Sequence, residues 1–117
     1  MAFRFEELNI WKKAMDLNDS IFLFAKTLPK DELYVLSSQI KRASDSVVLN
    51  IAEGSTGQTK ASFKLFLNYA LRSAIEVVRC LFIAKRRSYI DDIQFKTLYD
   101  DYEVLVKMIT NMRKSLD

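Results

Sequence analysis

Apolar residues return every three or four positions along almost the whole chain, the period of α-helices that each turn one face to a core. Leu8, Trp11, Ala14, Leu17, Ile21, Ala25 and Leu28 form the first run; Glu6 and Glu7 suit the positive end of its dipole, and Pro29 stops it. A second run passes through Leu33, Leu36, Ile40, Ala43, Val47 and Ile51, with Asp31 placed to cap its start and Gly54 to close it in a left-handed C-cap. After a joint over residues 55–59, Thr59 or a neighbouring hydroxyl can cap a third helix. Its face carries Phe63, Phe66, Leu67, Ala70, Ala74, Val77, Leu81 and Ala84, and the basic run Lys85, Arg86, Arg87 suits its end. The fourth starts at Asp91 or Asp92 and turns Phe95, Leu98, Tyr102, Leu105, Ile109, Met112 and Leu116 inward. With 2 Gly and 1 Pro in 117 residues, little punctuation remains for many short strands. The pattern predicts an all-α chain, a single domain over residues 1–117 folded as an antiparallel up-down-up-down four-helix bundle.

The second helix carries more than a core stripe. Gln39, Arg42, Ser46, Asn50 and Glu53 line up beside the apolar positions, so this helix also meets something polar. The third helix has a second apolar patch at Leu71, Ile75 and Phe82, about 100° round from its core face by helical-wheel geometry. Phe22, Phe24 and Tyr69 are expected to be exposed as well. A small monomer rarely leaves that much apolar surface wet, so a homo-oligomer is expected, against the simpler alternative of a wide core face.

Composition narrows the chemistry. There is no His and only one Cys, which excludes the common zinc and haem ligand sets and any internal disulfide. Cys80 reads as a small buried apolar residue. Glu53 and Glu76 could pair as carboxylates, but bundles that bind two metals use several inward Glu with a Glu-x-x-His repeat, so no metal, cofactor or catalytic residue is expected. The N-terminal residues lack the apolar stretch of a signal peptide, and no apolar run approaches the ~20 residues of a membrane span, which points to a cytoplasmic protein without a membrane partner. The formal charge of +3 permits an acidic partner without demanding one. Cations nevertheless gather: Lys41, Lys60, Lys64, Arg72, Arg79, Lys85, Arg86 and Arg87 lie on the second and third helices and just after the third, while the fourth holds Asp100, Asp101 and Glu103. These cations are the candidate nucleic-acid contacts, with Tyr69 and Tyr89 able to stack on bases. No helix-turn-helix or RNA-recognition signature accompanies them.

Three blocks carry a family resemblance. The opening FEELNIWKKA contributes Phe5, Leu8, Trp11 and Ala14. The central QIKRASDSVVLNIAEG contributes Gln39, Arg42, Ala43, Ser46 and Asn50 to Gly54, and FKLFLNYALRSAIE contributes Phe63, Phe66, Leu67, Ala70, Ser73 and Glu76. In this order they resemble the bacterial four-helix-bundle proteins called 23S rRNA intervening-sequence proteins, over nearly the whole chain. Where family members often carry a Pro between the Ser and the Asn of the central block, Val48 and Leu49 stand here, so the expected kink is in doubt. After Glu76, Val78 and Arg79 replace the usual acidic residue and Thr, so lateral polar contacts there can differ. The resemblance implies a bundle that assembles as a ring, typically a homopentamer, with no established reaction. Some members are encoded inside insertions in 23S rRNA genes, and a related branch binds a reverse transcriptase and nucleic acid.

Three readings of the polar flank stay open. Gln39, Arg42, Ser46, Asn50 and Glu53 can form a satisfied network with Ser73 and Glu76 of the third helix, because an unpartnered buried polar group costs ~1–3 kcal/mol. They can line a surface for nucleic acid or a partner protein, or, least in keeping with the residue types, a small-molecule site. The function expected is a non-enzymatic oligomeric scaffold or adaptor that binds RNA or DNA through its basic surface, alongside a nucleic-acid enzyme such as a reverse transcriptase. The alternative is a purely protein-binding module in which the ring itself is the functional object.

Overall fold

The computed structural model describes residues 2–57 and 59–117, so Met1 and Gln58, the latter within the expected joint, lie outside the described residues. After a 3-10 turn at Arg4–Glu7 come α1 (Asn9–Ala25), a second 3-10 turn at Lys30–Glu32, α2 (Leu36–Ser55), α3 (Lys60–Arg86) and α4 (Asp92–Ser115). No strand occurs among the described residues. The four helices pack into a bundle of 43 × 23 × 23 Å.

Side-chain contacts give the direction of each helix. Lys64 pairs with Asp117, Arg113 with Asn68, and the Phe82 ring with Phe95 and Tyr99, so rising positions on α3 meet falling positions on α4. Likewise Gly54 faces Phe63 while Ser46 meets Ser73, which sets α2 against α3. Arg4 lies over the Phe63 ring, 5.3 Å from its centroid, placing the start of α1 beside the end of α2. The order is therefore up, down, up, down, as the short joints require.

Ala14, Leu17 and Ile21 from α1 meet Ile40, Val47 and Ile51 from α2, Leu67, Ala74 and Leu81 from α3, and Leu98, Leu105 and Ile109 from α4 in one core. Thr59 Oγ1 accepts from Ser62 N at 3.0 Å and Asp91 Oδ1 from Gln94 N at 2.7 Å, so both predicted caps are made.

Four expectations need correction. Phe24, expected outside, is 1% exposed, because α1 packs against both α2 and α4 and its buried face is wide enough for Phe24 as well as Ala25. Leu33, expected in the core, is 47% exposed. Asp31 does not cap α2: it sits in the 3-10 turn, and α2 starts after Val35. That turn is held because Glu32 points inward, accepting from Arg87 Nη1 at 2.8 Å and from the Tyr89 hydroxyl at 3.0 Å. Burying this carboxylate is tolerated only because both donors meet it, and the chain beyond it, Leu33 to Val35, is turned to solvent. Finally, Gly54 is not a left-handed cap. It lies inside α2 with no positive φ, and Thr56 follows the helix end. Its role is close approach: a Cβ there would stand 2.9 Å from Phe63 Cδ1 and 3.0 Å from Phe66 Cβ.

The left-handed residue is instead Ser88, with φ 60° after α3. Tyr89 N donates to Ala84 O at 2.8 Å and Ser88 N to Lys85 O at 3.0 Å, the paired bonds of a Schellman cap. Gly adopts this conformation without a Cβ penalty, so Ser88→Gly should stabilise the fold by about 1 kcal/mol. A rise of several degrees in Tm by thermal circular dichroism checks this; an unchanged or lower Tm shows that the serine is unstrained.

Candidate nucleic-acid interface

The polar flank of α2 meets α3 in two layers. In the inner layer Ser73 Oγ donates to Ser46 Oγ at 2.8 Å, and Asn50 Nδ2 donates to Ser46 Oγ at 2.9 Å and to Ser46 O at 2.8 Å. Ser46 thus satisfies neighbours on its own helix and across the interface, and Asn50 is held rather than presented. Outside this layer lies a groove of about 570 Å³ lined by Gln39, Arg42, Ala43, Ser46, Ser73 and Glu76. Gln39, Arg42 and Glu76 make no side-chain hydrogen bond or ion pair among the described residues, so the network expected from sequence closes around Ser46, Asn50 and Ser73 and leaves its outer members available. Glu53 is exposed and stands outside both layers.

Arg72 and Arg79 line a smaller hollow on α3 with Ser73, Ile75 and Glu76. Together with Arg86 they recur every seven residues, about two turns or ~10.5 Å apart along one outward line of the helix. None of the three forms an ion pair among the described residues. Exposed apolar side chains stand on the same helix, Ile75, Phe82 and Ile83 between the arginines and Leu65 and Tyr69 before them. Leu65 and Ile83 are not marked by the sequence pattern as a surface patch, although Leu65, Arg72, Arg79 and Arg86 share one heptad register. The expected second patch on α3 divides: Ile75 and Phe82 are exposed, whereas Leu71 is partly buried against the core.

The remaining candidate cations differ in how they are engaged. Arg87 holds Glu32, and Lys64 holds Asp117, whose carboxyl is kept below its usual value first by that hydrogen bond and then by the lysine's charge. Lys85 Nζ lies 4.4 Å from the Phe95 ring centroid, a cation–π contact. Lys41 lines cavities on the α1 side of α2, away from the α3 line. Lys60 is exposed at the first turn of α3 and has no ion pair among the described residues. Tyr89 donates to Glu32 and is partly buried against the core, so it is a poor stacking platform, while Tyr69 is 42% exposed.

Sequence reasoning also missed a buried polar contact across the bundle. Asn18 Nδ2 of α1 donates to Ser44 Oγ of α2 at 3.0 Å, and Ser44 Oγ lies 3.3 Å from the Tyr102 hydroxyl of α4. Ser44 and Tyr102 are almost fully buried. Burial pushes the Tyr102 phenol up to about 12 against the opposing pull of the Ser44 hydrogen bond. Burial and then the nearby Glu76 charge push the Cys80 thiol up to about 11, which leaves no thiolate for chemistry near neutral pH. Among the described residues no group of His, Cys, Asp and Glu is placed to hold a metal ion. Among them no helix is long and apolar enough to cross a membrane.

Fold and surface define a small four-helix-bundle protein whose candidate binding groups lie outside, along α2 and α3. The model of the 23S rRNA-intervening sequence protein family matches residues 6–111, and the chain belongs to that family. A solved structure of a protein of unknown function from the S23 ribosomal protein family of Bacteroides thetaiotaomicron is similar at 28% identity with a TM-score of 0.84. The match covers 90% of this chain and 98% of that one. Neither description names a reaction. No curated protein matches the chain.

Proposed function

We propose that the protein is a non-enzymatic, homo-oligomeric scaffold that binds nucleic acid through the outward face of α3. The observation that carries this reading is the line of Arg72, Arg79 and Arg86, unpaired among the described residues and accompanied on the same helix by Tyr69 and Phe82. Guanidinium groups contact phosphates, exposed rings stack on bases, and neither needs a sequence-reading motif. One subunit offers few such contacts. A ring repeats them around its axis, and linking weak sites raises avidity without any new contact. The exposed Leu23 of α1, Leu49 of α2 and Val104 of α4, which lie off that face, support assembly, since apolar groups on an unpartnered face gain by being covered.

Charge reversal of the three arginines (Arg72→Glu, Arg79→Glu, Arg86→Glu) tests this, with Arg87 left in place because it neutralises Glu32. Fluorescence anisotropy against labelled RNA and DNA over a salt series should show wild-type affinity falling steeply with salt. The variant should bind at least about tenfold more weakly, with a salt slope shallower by about one for each phosphate it no longer neutralises. Light scattering is read alongside. Unchanged affinity and slope would refute the nucleic-acid reading.

The unpaired Gln39, Arg42 and Glu76 around the α2–α3 groove favour a second reading, a purely protein-binding ring in which this polar face joins subunits. A ring requires one face of a subunit to meet a different face of the next. If Arg42→Glu lowers the oligomeric mass while the triple variant keeps its nucleic-acid affinity, that reading replaces the first.

A further inference from the structure

The opposite side of α2 carries a second surface that the α3 line does not use. Two cavities, of about 460 and 270 Å³, lie side by side between the C-terminal half of α1 and the first half of α2, sharing Phe22, Leu33 and Lys41 as walls. Their floor includes the buried Ile21 and Ala25. The lip is apolar to an unusual degree: Phe22 is 49%, Leu33 47% and Tyr34 88% exposed. Around it stand four cations, Lys26, Lys30, Lys41 and Arg42, none in an ion pair among the described residues. Among the described residues Asp45 is the only carboxylate lining either cavity, and it already accepts from Asn18 Nδ2 at 2.8 Å.

We infer that this groove docks an acidic amphipathic helix of another protein. Two packed helices leave a trough into which a third can lay its apolar face, read by anchors at i, i+4 and i+7. Along α2 from Ser37 to Asp45 the trough runs about 12 Å, with Leu33 and Tyr34 beyond the helix start, room for the two turns that anchors at i, i+4 and i+7 span. Phe22, Leu33 and Tyr34 cover the anchors, and the four cations meet carboxylates on the flanks. Lys26, whose ammonium lies 4.6 Å from the Phe22 ring centroid, is kept beside the apolar lip. A second copy of this chain fits less well. Its own clustered acids on α4 are each already within reach of a lysine: Asp100 with Lys96 at 3.0 Å, Asp101 with Lys13 at 3.6 Å and Glu103 with Lys107 at 3.8 Å. A nucleic acid would match the cations and could stack on the Phe22 and Tyr34 rings, but would gain nothing from Leu33 or from the apolar floor at Ile21 and Ala25.

The test uses the full chain and a fluorescein-labelled helical peptide of about 18 residues, with Leu at three- and four-residue steps and Glu on its flanks. Two controls accompany it: a version with Lys in place of Glu, and a scrambled sequence of the same composition. Saturable binding of the acidic amphipathic peptide is expected, at least about tenfold weaker for either control. The same weakening is expected in the Leu33→Ser, Lys41→Glu double variant and in Lys26→Glu, with circular dichroism and Tm preserved. The triple arginine variant of α3 should bind the peptide normally, which keeps this inference separate from the nucleic-acid reading. Equal affinity for the scrambled peptide, or an unchanged Kd in both groove variants, overturns it. So does a groove variant that changes oligomeric mass when the wild-type chain binds no peptide, which would make a second copy the occupant. A fall in RNA affinity in the groove variants, in place of peptide affinity, would assign the surface to nucleic acid and overturn it equally.

Discussion

Replacing Phe24 by alanine should destabilise the bundle by about 3–5 kcal/mol, whereas Phe22→Ala, two positions earlier on the same helix, should cost under about 1 kcal/mol. Both are phenylalanines on α1, and sequence periodicity places both at the surface. In the folded chain Phe24 is 1% exposed inside the single core, while Phe22 is 49% exposed on the lip of the α1–α2 groove. Truncating the first removes a whole buried ring and leaves a cavity that the helices close only in part. Truncating the second exposes little that was dry. Urea unfolding of the two variants gives the comparison directly, with equal slopes required for the midpoints to be read as stabilities. Similar destabilisation in both would mean that α1 is rotated about its axis. In that event the docking groove would fail with it, because Phe22 would no longer stand on its lip.

A second large effect is expected at Gly54. Introducing Val there should cost about 3 kcal/mol, at the upper end of what overpacking of a dense interior usually costs. The site is closed from α3: a Cβ meets the Phe63 ring at 2.9 Å and Phe66 Cβ at 3.0 Å. Phe63 is itself 3% exposed and cannot swing aside, and Phe66 Cβ moves only with its backbone. Helix propensity pulls the other way, since Gly costs about 1 kcal/mol relative to Ala in a helix interior. Gly54→Ala therefore balances a better helix against a single crowded methyl and should be less destabilising than Gly54→Val. Thermal unfolding of the pair separates the two effects. A stabilised alanine variant would show that α2 and α3 can part at this point, and a wild-type-like valine variant would refute the close approach altogether.

Much of this molecule is legible in the chain. Four amphipathic periods, two Gly and one Pro are enough to require a few long helices with short joints. The caps at Thr59 and Asp91 follow from local chemistry, because a side-chain oxygen at that position meets an amide only three residues on. The α2–α3 polar contact is legible only in part, since Gln39, Arg42, Glu53 and Glu76, candidates for the same network, stay outside it. Ser46 and Asn50 sit one turn apart beside an apolar stripe, and the Ser73 hydroxyl supplies the facing group.

Errors gather where the outcome depends on a neighbour rather than on the residue's own segment. Gly54 reads locally as a stop signal, yet it is a spacer whose purpose is visible only once Phe63 and Phe66 lie across it. Asp31 has the chemistry of a cap, but the pull of Arg87 and Tyr89 on Glu32, more than fifty residues away in the chain, holds its segment in a 3-10 turn. The same pull turns Leu33 out to solvent and so helps to make the groove. The basic run Lys85 to Arg87 looks uniform in sequence. In the fold it divides into a lysine over a ring, an arginine without an ion pair among the described residues, and an arginine bound to a buried carboxylate.

The sequence by itself determined the class of fold, the order of the helices and most of the core, because these follow from periodicity and local capping, which act within a few residues. Only the tertiary structure decided which charges are spent inside the chain and which remain for a partner. It also decided that α2 presents a polar groove on one side and a cationic, apolar one on the other. Pairing and exposure depend on which helix lies alongside, and a linear chain does not carry that information in any one segment.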